Sequence, residues 1–266
     1  MSSLQEEAST FDKGREPLDA RLARALDLIP PLKVRYERIS LGHPIRGSDE
    51  YADRLLSLGE HPGLVASGRI SSALDHLVTW YRVIAEGRFM PAHAHLSLLR
   101  PSFEGGVQAR WVLDATVSPT TRVQRAVAVV LDDLDEQRKL ETAMRASAWS
   151  PSTAYVDAVE LRGRIESKAE EREIALISMQ DTTSLVHAYR LFEGETDVAA
   201  FRITSGVLHS TTWAGLLAEI ERSNVGATMS TVTSTGSQGT AVGFTAGAAA
   251  HVDAAVKALE AYVEPR

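Results

Sequence analysis

The 266-residue chain has no cysteine. That excludes disulfides, thiolate metal sites and a cysteine nucleophile. Lysine is scarce, five residues against 23 arginines, and acidic residues outnumber basic ones to give a net charge of -7. With a pI of about 5.7, nucleic-acid binding through global charge is disfavoured, while a local basic groove stays open. The longest purely aliphatic run, Ala126–Leu131, is far short of a bilayer span. The opening MSSLQEEAST is polar and acidic, unlike a secretory signal. A bacterial cytoplasmic protein with no membrane partner is the expectation. The chain also lacks an ExxH pair, so a di-iron carboxylate bundle has no ligands. Gly236-Ser237-Gln238-Gly239 lacks the lysine of a phosphate loop.

Helical periodicity dominates what remains. In HAHLSLLRPSFEGGVQARWVL, from His93 to Leu113, the residues Leu96, Leu99, Phe103 and Val107 recur at steps of three or four, which predicts a core-facing stripe. His93, Ser97, Arg100, Glu104 and Gln108 recur with the same steps and stack along another side of that helix. A polar line beside apolar residues is costly unless it is paired or lines a cavity. Pro101 predicts a kink or break, and Gly105-Gly106 leaves room for a second helix to approach.

The other elements follow from breakers and caps. Helices are expected over 17–28, 48–58 and 64–86, with Pro30-Pro31 ending the first and 33–47 irregular. Ser118-Pro119 opens a long helix to Arg145, and Ser150-Pro151 a charged one over 153–178 that must be largely solvated. Asp181 caps a further helix, Asp197–Arg222 forms the next, and 246–263 the last. The Thr-, Ser- and Gly-rich stretch near 226–243 permits either a short β-hairpin about Ser237–Gly239 or a plain loop. The fold class is thus all-α, a multi-helix bundle of about seven to nine helices: a flexible N-terminal tail over 1–15 and a single helical domain over 16–266.

Arg202, Ser205, His209 and Trp213 fall on one face of the Asp197 helix. If that helix packs beside the central one, Arg100, Glu104, Arg202 and His209 share a pocket, with Ser205 and Gln108 as further binding groups. A register-fixing polar network, a ligand pocket and nuclease chemistry are all open readings of these residues. No metal site or cofactor is expected. His93 and His95 point to different sides of a helix, and Asp132, Asp133, Asp135 and Glu136 read as a solvated face.

Arginine, six residues, then histidine resembles the signature of the HEPN superfamily of helical bundles. The phrases LLRPSFEGGVQARWVLD and FRITSGVLH are similar to an uncharacterised group of actinobacterial helical proteins with an LLRxxxE…W helix and a later RxxSxxxH helix. The resemblance spans about residues 65–220 in element order. It implies a homodimer and a metal-independent, RNA-directed nuclease of the toxin or defence type. Arg202 would hold the scissile phosphate and His209 would move a proton. Active members often carry a polar residue after the arginine, where this chain has Ile203. The alternative is a non-catalytic helical module that binds an anionic small molecule or a protein partner through the same polar pocket.

Overall fold

Three helices carry the core. The computed structural model describes residues 18–87, 94–145, 157–208, 219–224, 230–235 and 238–265. Within it, α4 (Pro62–Ala85), α5 (Ala94–Val112) and α10 (Gln238–Val263) pack side by side. The α5 stripe Leu96, Leu99, Phe103 and Val107 is fully buried, against Ile70, Leu74, Leu77 and Trp80 of α4 and Ala248, Val252, Val256 and Leu259 of α10. The glycine pair sets the spacing. A Cβ on Gly105 would sit 2.6 Å from the Arg69 carbonyl oxygen, and one on Gly106 would sit 2.9 Å from the His251 backbone. Helix α5 runs through Pro101 as one element, instead of breaking there. It is gripped from both sides, and next to the proline Ser102 donates a buried hydrogen bond to the Ala73 carbonyl (3.0 Å). Trp80 Nε1 donates to Thr245 Oγ1 (2.8 Å), tying α4 to α10 inside the core.

Around this trio lie α1 (Leu18–Asp27), α2 (Ile29–Glu37), α3 (Asp49–Arg54), α6 (Pro119–Arg145), α7 (Ala158–Glu171), α8 (Thr182–Ala188) and α9 (Thr196–Leu208). The protein is an all-α, multi-helix bundle. Part of the stretch expected to be irregular is α2. Pro30-Pro31 ends α1 and also occupies the first turn of α2, where a missing N–H breaks no helical bond. A smaller core joins α6 to α7 through Val123, Val127, Leu134, Ile165 and Ala169. Helix α7 is shorter than expected. Asp157 caps its start with bonds from the Val159 and Glu160 N–H groups. Its end is set by Glu173 at φ +54° and the Ile174 N–H bond to the Ala169 carbonyl (2.9 Å), a Schellman closure.

The Asp197 helix is also shorter: the described part ends at Leu208, and Glu219–Asn224 is strand β1. It pairs antiparallel with β2 (Ser230–Thr235), from Glu219↔Thr235 to Asn224↔Ser230. The hairpin therefore sits N-terminal to the expected one, joined through 225–229. Gln238 and Gly239 instead open α10, which begins eight residues before the expected start, and Ser237 lies outside the described residues. No helix among the described residues is long and apolar enough to cross a membrane.

Candidate functional site

The polar line of α5 is mostly paired with itself and with α8. Arg100 Nε lies 3.9 Å from Glu104 Oε2. Gln108 Nε2 (3.3 Å) and Thr182 Oγ1 (3.2 Å) both donate to Glu104 Oε1. Helix α9 does pack beside α5, but through Phe201, whose ring lies 5.3 Å from the Arg100 guanidinium. The buried face of α9 is Asp197, Val198, Phe201 and Thr204. Arg202 stands about 100° round the helix from Phe201 and is exposed, while Ser205 is half-buried. Thus Arg100, Glu104 and Gln108 come together, and Arg202 faces out instead of sharing an interior chamber with them. His209, His93 and Trp213 lie outside the described residues.

A different site forms where the ends of α5, α8 and α10 meet. A cavity of about 500 Å³ opens between Arg110 and Leu113 of the α5 end, Tyr189 capping α8, and Ala258, Ala261 and Tyr262 of α10. Asp49, Asp114 and Glu264 also line it. Two of these acids are already engaged. Asp114 accepts from the Thr116 N–H and hydroxyl (2.9 and 2.6 Å), the Tyr189 hydroxyl (2.6 Å) and Arg125 Nη1 (3.2 Å). Burial alone would raise this carboxyl, but Thr116, Tyr189 and Arg125 outweigh it and hold it at about 2. Burial and the bond to Asp114 push Tyr189 up to about 12.

Asp49 belongs to a buried cluster below the cavity. Arg122, 1% exposed, grips Asp53, 0% exposed, with Nε and Nη2 (both 2.8 Å). Its Nη2 also reaches Asp49 (3.0 Å), and Nη1 the Val117 carbonyl (3.1 Å). Tyr262 is buried against this cluster, and its hydroxyl is turned towards Asp53. Glu264, the third cavity acid, is exposed at the rim.

Arg110 has no such partner. Its Nη1 donates to the Tyr189 carbonyl (2.6 Å), and its guanidinium lies 5.5 Å from the Tyr189 ring. No carboxylate lies within 4 Å of it among the described residues. Burial lowers its pKa, opposed by the fields of Tyr189, Asp197 and Asp114. A second cavity, of about 630 Å³, lies beside Arg35, but that arginine is already clamped by Glu260 and Asp253.

One turn before Arg110, Gly106 abuts the backbone of His251, a fully buried histidine whose Nε2 lies 3.5 Å from Asp197 Oδ2. The Asp197 carboxylate also accepts from the Leu191 and Phe192 N–H groups. Burial lowers the His251 pKa from 6.5 to about 4 against the pull of Asp197. Between those values the unfolded chain binds a proton that the folded chain refuses, so stability falls as pH falls from 6.5 towards 4. The expected loss is up to about 3 kcal/mol. Urea midpoints measured from pH 8 to pH 4 should show this slope, and His251→Gln should flatten it. The depressed carboxyls Asp114, Asp181 and Asp253 lose their contribution only below the ordinary range, and Asp53, which burial raises, acts with the opposite sign. An unchanged slope in His251→Gln would mean that this imidazole is not what the acid attacks.

Arg110, Arg122, Asp197, His251 and Tyr189 were not singled out by periodicity. One signal was present: His251 is the only polar side chain in AGAAAHV, a histidine in an otherwise apolar helical face. No family model, curated protein or solved structure matches the chain.

Proposed function

We propose that this chain is a non-catalytic helical module that binds a small molecule in the cavity between the ends of α5, α8 and α10. The observation that carries this reading is the half-buried guanidinium of Arg110, without a carboxylate partner among the described residues, on the wall of a 500 Å³ cavity floored by Leu113 and Ala258. That size suits a small ligand, and an apolar floor bordered by charged and phenolic groups suits orienting one. The α5 polar line supports binding less well, because Glu104 already takes three partners and acts as a clamp between α5 and α8.

Ala261 is exposed on the cavity wall, so a larger side chain there fills the space without disturbing the core. A neutral solvatochromic dye, Nile red, should bind the wild-type protein with enhanced emission. Ala261→Trp should weaken that binding by about tenfold or more. Arg202→Ala should leave it unchanged, since α9 supplies no wall of the cavity. The ribonuclease reading implied by the HEPN resemblance rests on Arg202 and His209 and so is separable: it predicts RNA cleavage lost in Arg202→Ala. Failure of the wild type to bind the dye, or equal binding by Ala261→Trp, overturns the cavity reading.

A further inference from the structure

We infer that the cavity takes an amphipathic monocarboxylate, with its head on Arg110 and its apolar body along Leu113, Ala258 and Ala261. This rests on the cavity being the binding site and adds the chemistry of the ligand.

The charges around the cavity decide the sign of the head group. Asp114 has its lone pairs occupied by Thr116, Tyr189 and Arg125. Asp49 faces Arg122, which is also bound to Asp53. A ligand ammonium would have to displace a bound donor from Asp114, and at Asp49 it would meet a carboxylate whose charge Arg122 already offsets. Glu264 is at the solvent rim, where a charge is well screened. Arg110 is the reverse case. Of its five N–H donors, only Nη1 has a hydrogen-bond acceptor among the described residues, the Tyr189 carbonyl. That bond and the ring beside it fix the plane of the guanidinium. A planar fork held in place, with donors to spare, is matched by a carboxylate in two-point contact.

The body of the ligand follows from the remaining wall. Leu113 is buried, and Ala258 and Ala261 are small side chains spaced three apart on α10, so one helix face gives the cavity an apolar wall beside Arg110. A straight or singly ringed hydrocarbon fits there. A sugar or a polyphosphate would find one guanidinium and three acids.

The test compares three probes that differ only in head group: octanoate, octanol and octylamine, each titrated by calorimetry and by displacement of Nile red. Octanoate should bind wild type about 10- to 100-fold more tightly than octanol. Arg110→Gln should remove that advantage and leave octanol unchanged, and Arg110→Lys should keep only part of it. Octanol or octylamine binding as well as octanoate to the wild type, a comparison that needs no variant, overturns the inference. So does octanoate binding undiminished by Arg110→Gln. In each of those outcomes Nile red still binds and still responds to Ala261→Trp, so the carboxylate inference fails alone. Loss of the dye signal itself marks failure of the cavity reading beneath it.

Discussion

Arg122→Ala should lower the free energy of unfolding by about 3–5 kcal/mol, the usual cost of breaking a buried ion pair from one side. The guanidinium is 1% exposed and Asp53 is 0% exposed, and four hydrogen bonds join Arg122 to Asp53, Asp49 and the Val117 carbonyl. Removing it leaves a carboxylate sealed in the protein with no cation. Exposed pairs such as Lys139–Glu136 and Arg164–Glu160 contribute little because water screens them, so the burial, not the charge count, sets the size of the effect. Urea unfolding gives the number, and two further measurements give the cause. First, Asp53 in the variant should hold its proton to higher pH than in the wild type. A raised carboxyl costs stability as pH rises through its pKa, so the deficit should shrink on acidification. Second, adding Asp53→Leu to Arg122→Leu should recover much of the loss, because an apolar pair of similar size carries no desolvation penalty. A double variant as unstable as the single one would show that shape, and not charge, is what Arg122 contributes. The cavity shares this foundation, since Asp49 and Tyr262 belong to both.

The core of the bundle was readable because it is periodic. Leu96, Leu99, Phe103 and Val107 repeat at the helical step, and each is buried where that step puts it. The same rule mispaired the polar line. Spacing puts Arg202 and Ser205 on one face of α9, but the face turned to α5 is the one carrying Val198 and Phe201, about 100° away from Arg202. Which face packs is decided by the partner helix, and the partner is not in the local pattern. The hairpin shows a second limit. EIERSN in β1 has helix-favouring charged residues, so it reads as the tail of the Asp197 helix until the Thr-rich STVTST pairs with it. Strand propensity depends on context in just this way. Arg110 carried no signal of its own. It becomes distinctive only when Tyr189, 79 residues on, supplies a carbonyl but no carboxylate, and when Ala258 and Ala261 on α10 leave space beside it. Proline was read correctly as punctuation and too strictly as a stop: Pro30-Pro31 opens a helix while closing another, and Pro101 is carried inside one.

Gly106→Val should unfold the protein more easily by about 3 kcal/mol or more and also weaken Nile red binding. The added Cβ would lie 2.9 Å from both the carbonyl carbon and oxygen of His251, and 3.2 Å from its Cβ. Backbone cannot swing aside as a flexible side chain can, so α10 must move away from α5. Valine's two further methyl groups make the displacement larger than alanine's would. Arg110 lies one turn beyond Gly106 on α5, and Ala258 lies two turns beyond His251 on α10. A shift at the crossing therefore carries into the two walls of the cavity. Stability and binding should fall together, which distinguishes this change from Ala261→Trp, expected to affect binding alone. Gly68→Ala is the matched control. It sits in α4 with no heavy atom within 4 Å of its added Cβ, and alanine there should stabilise the helix by about 0.5–1 kcal/mol. Wild-type stability in Gly106→Val would mean that the α5–α10 contact yields freely. The cavity would then have no rigid frame, and the placement of Arg110 against the α10 wall would lose its basis.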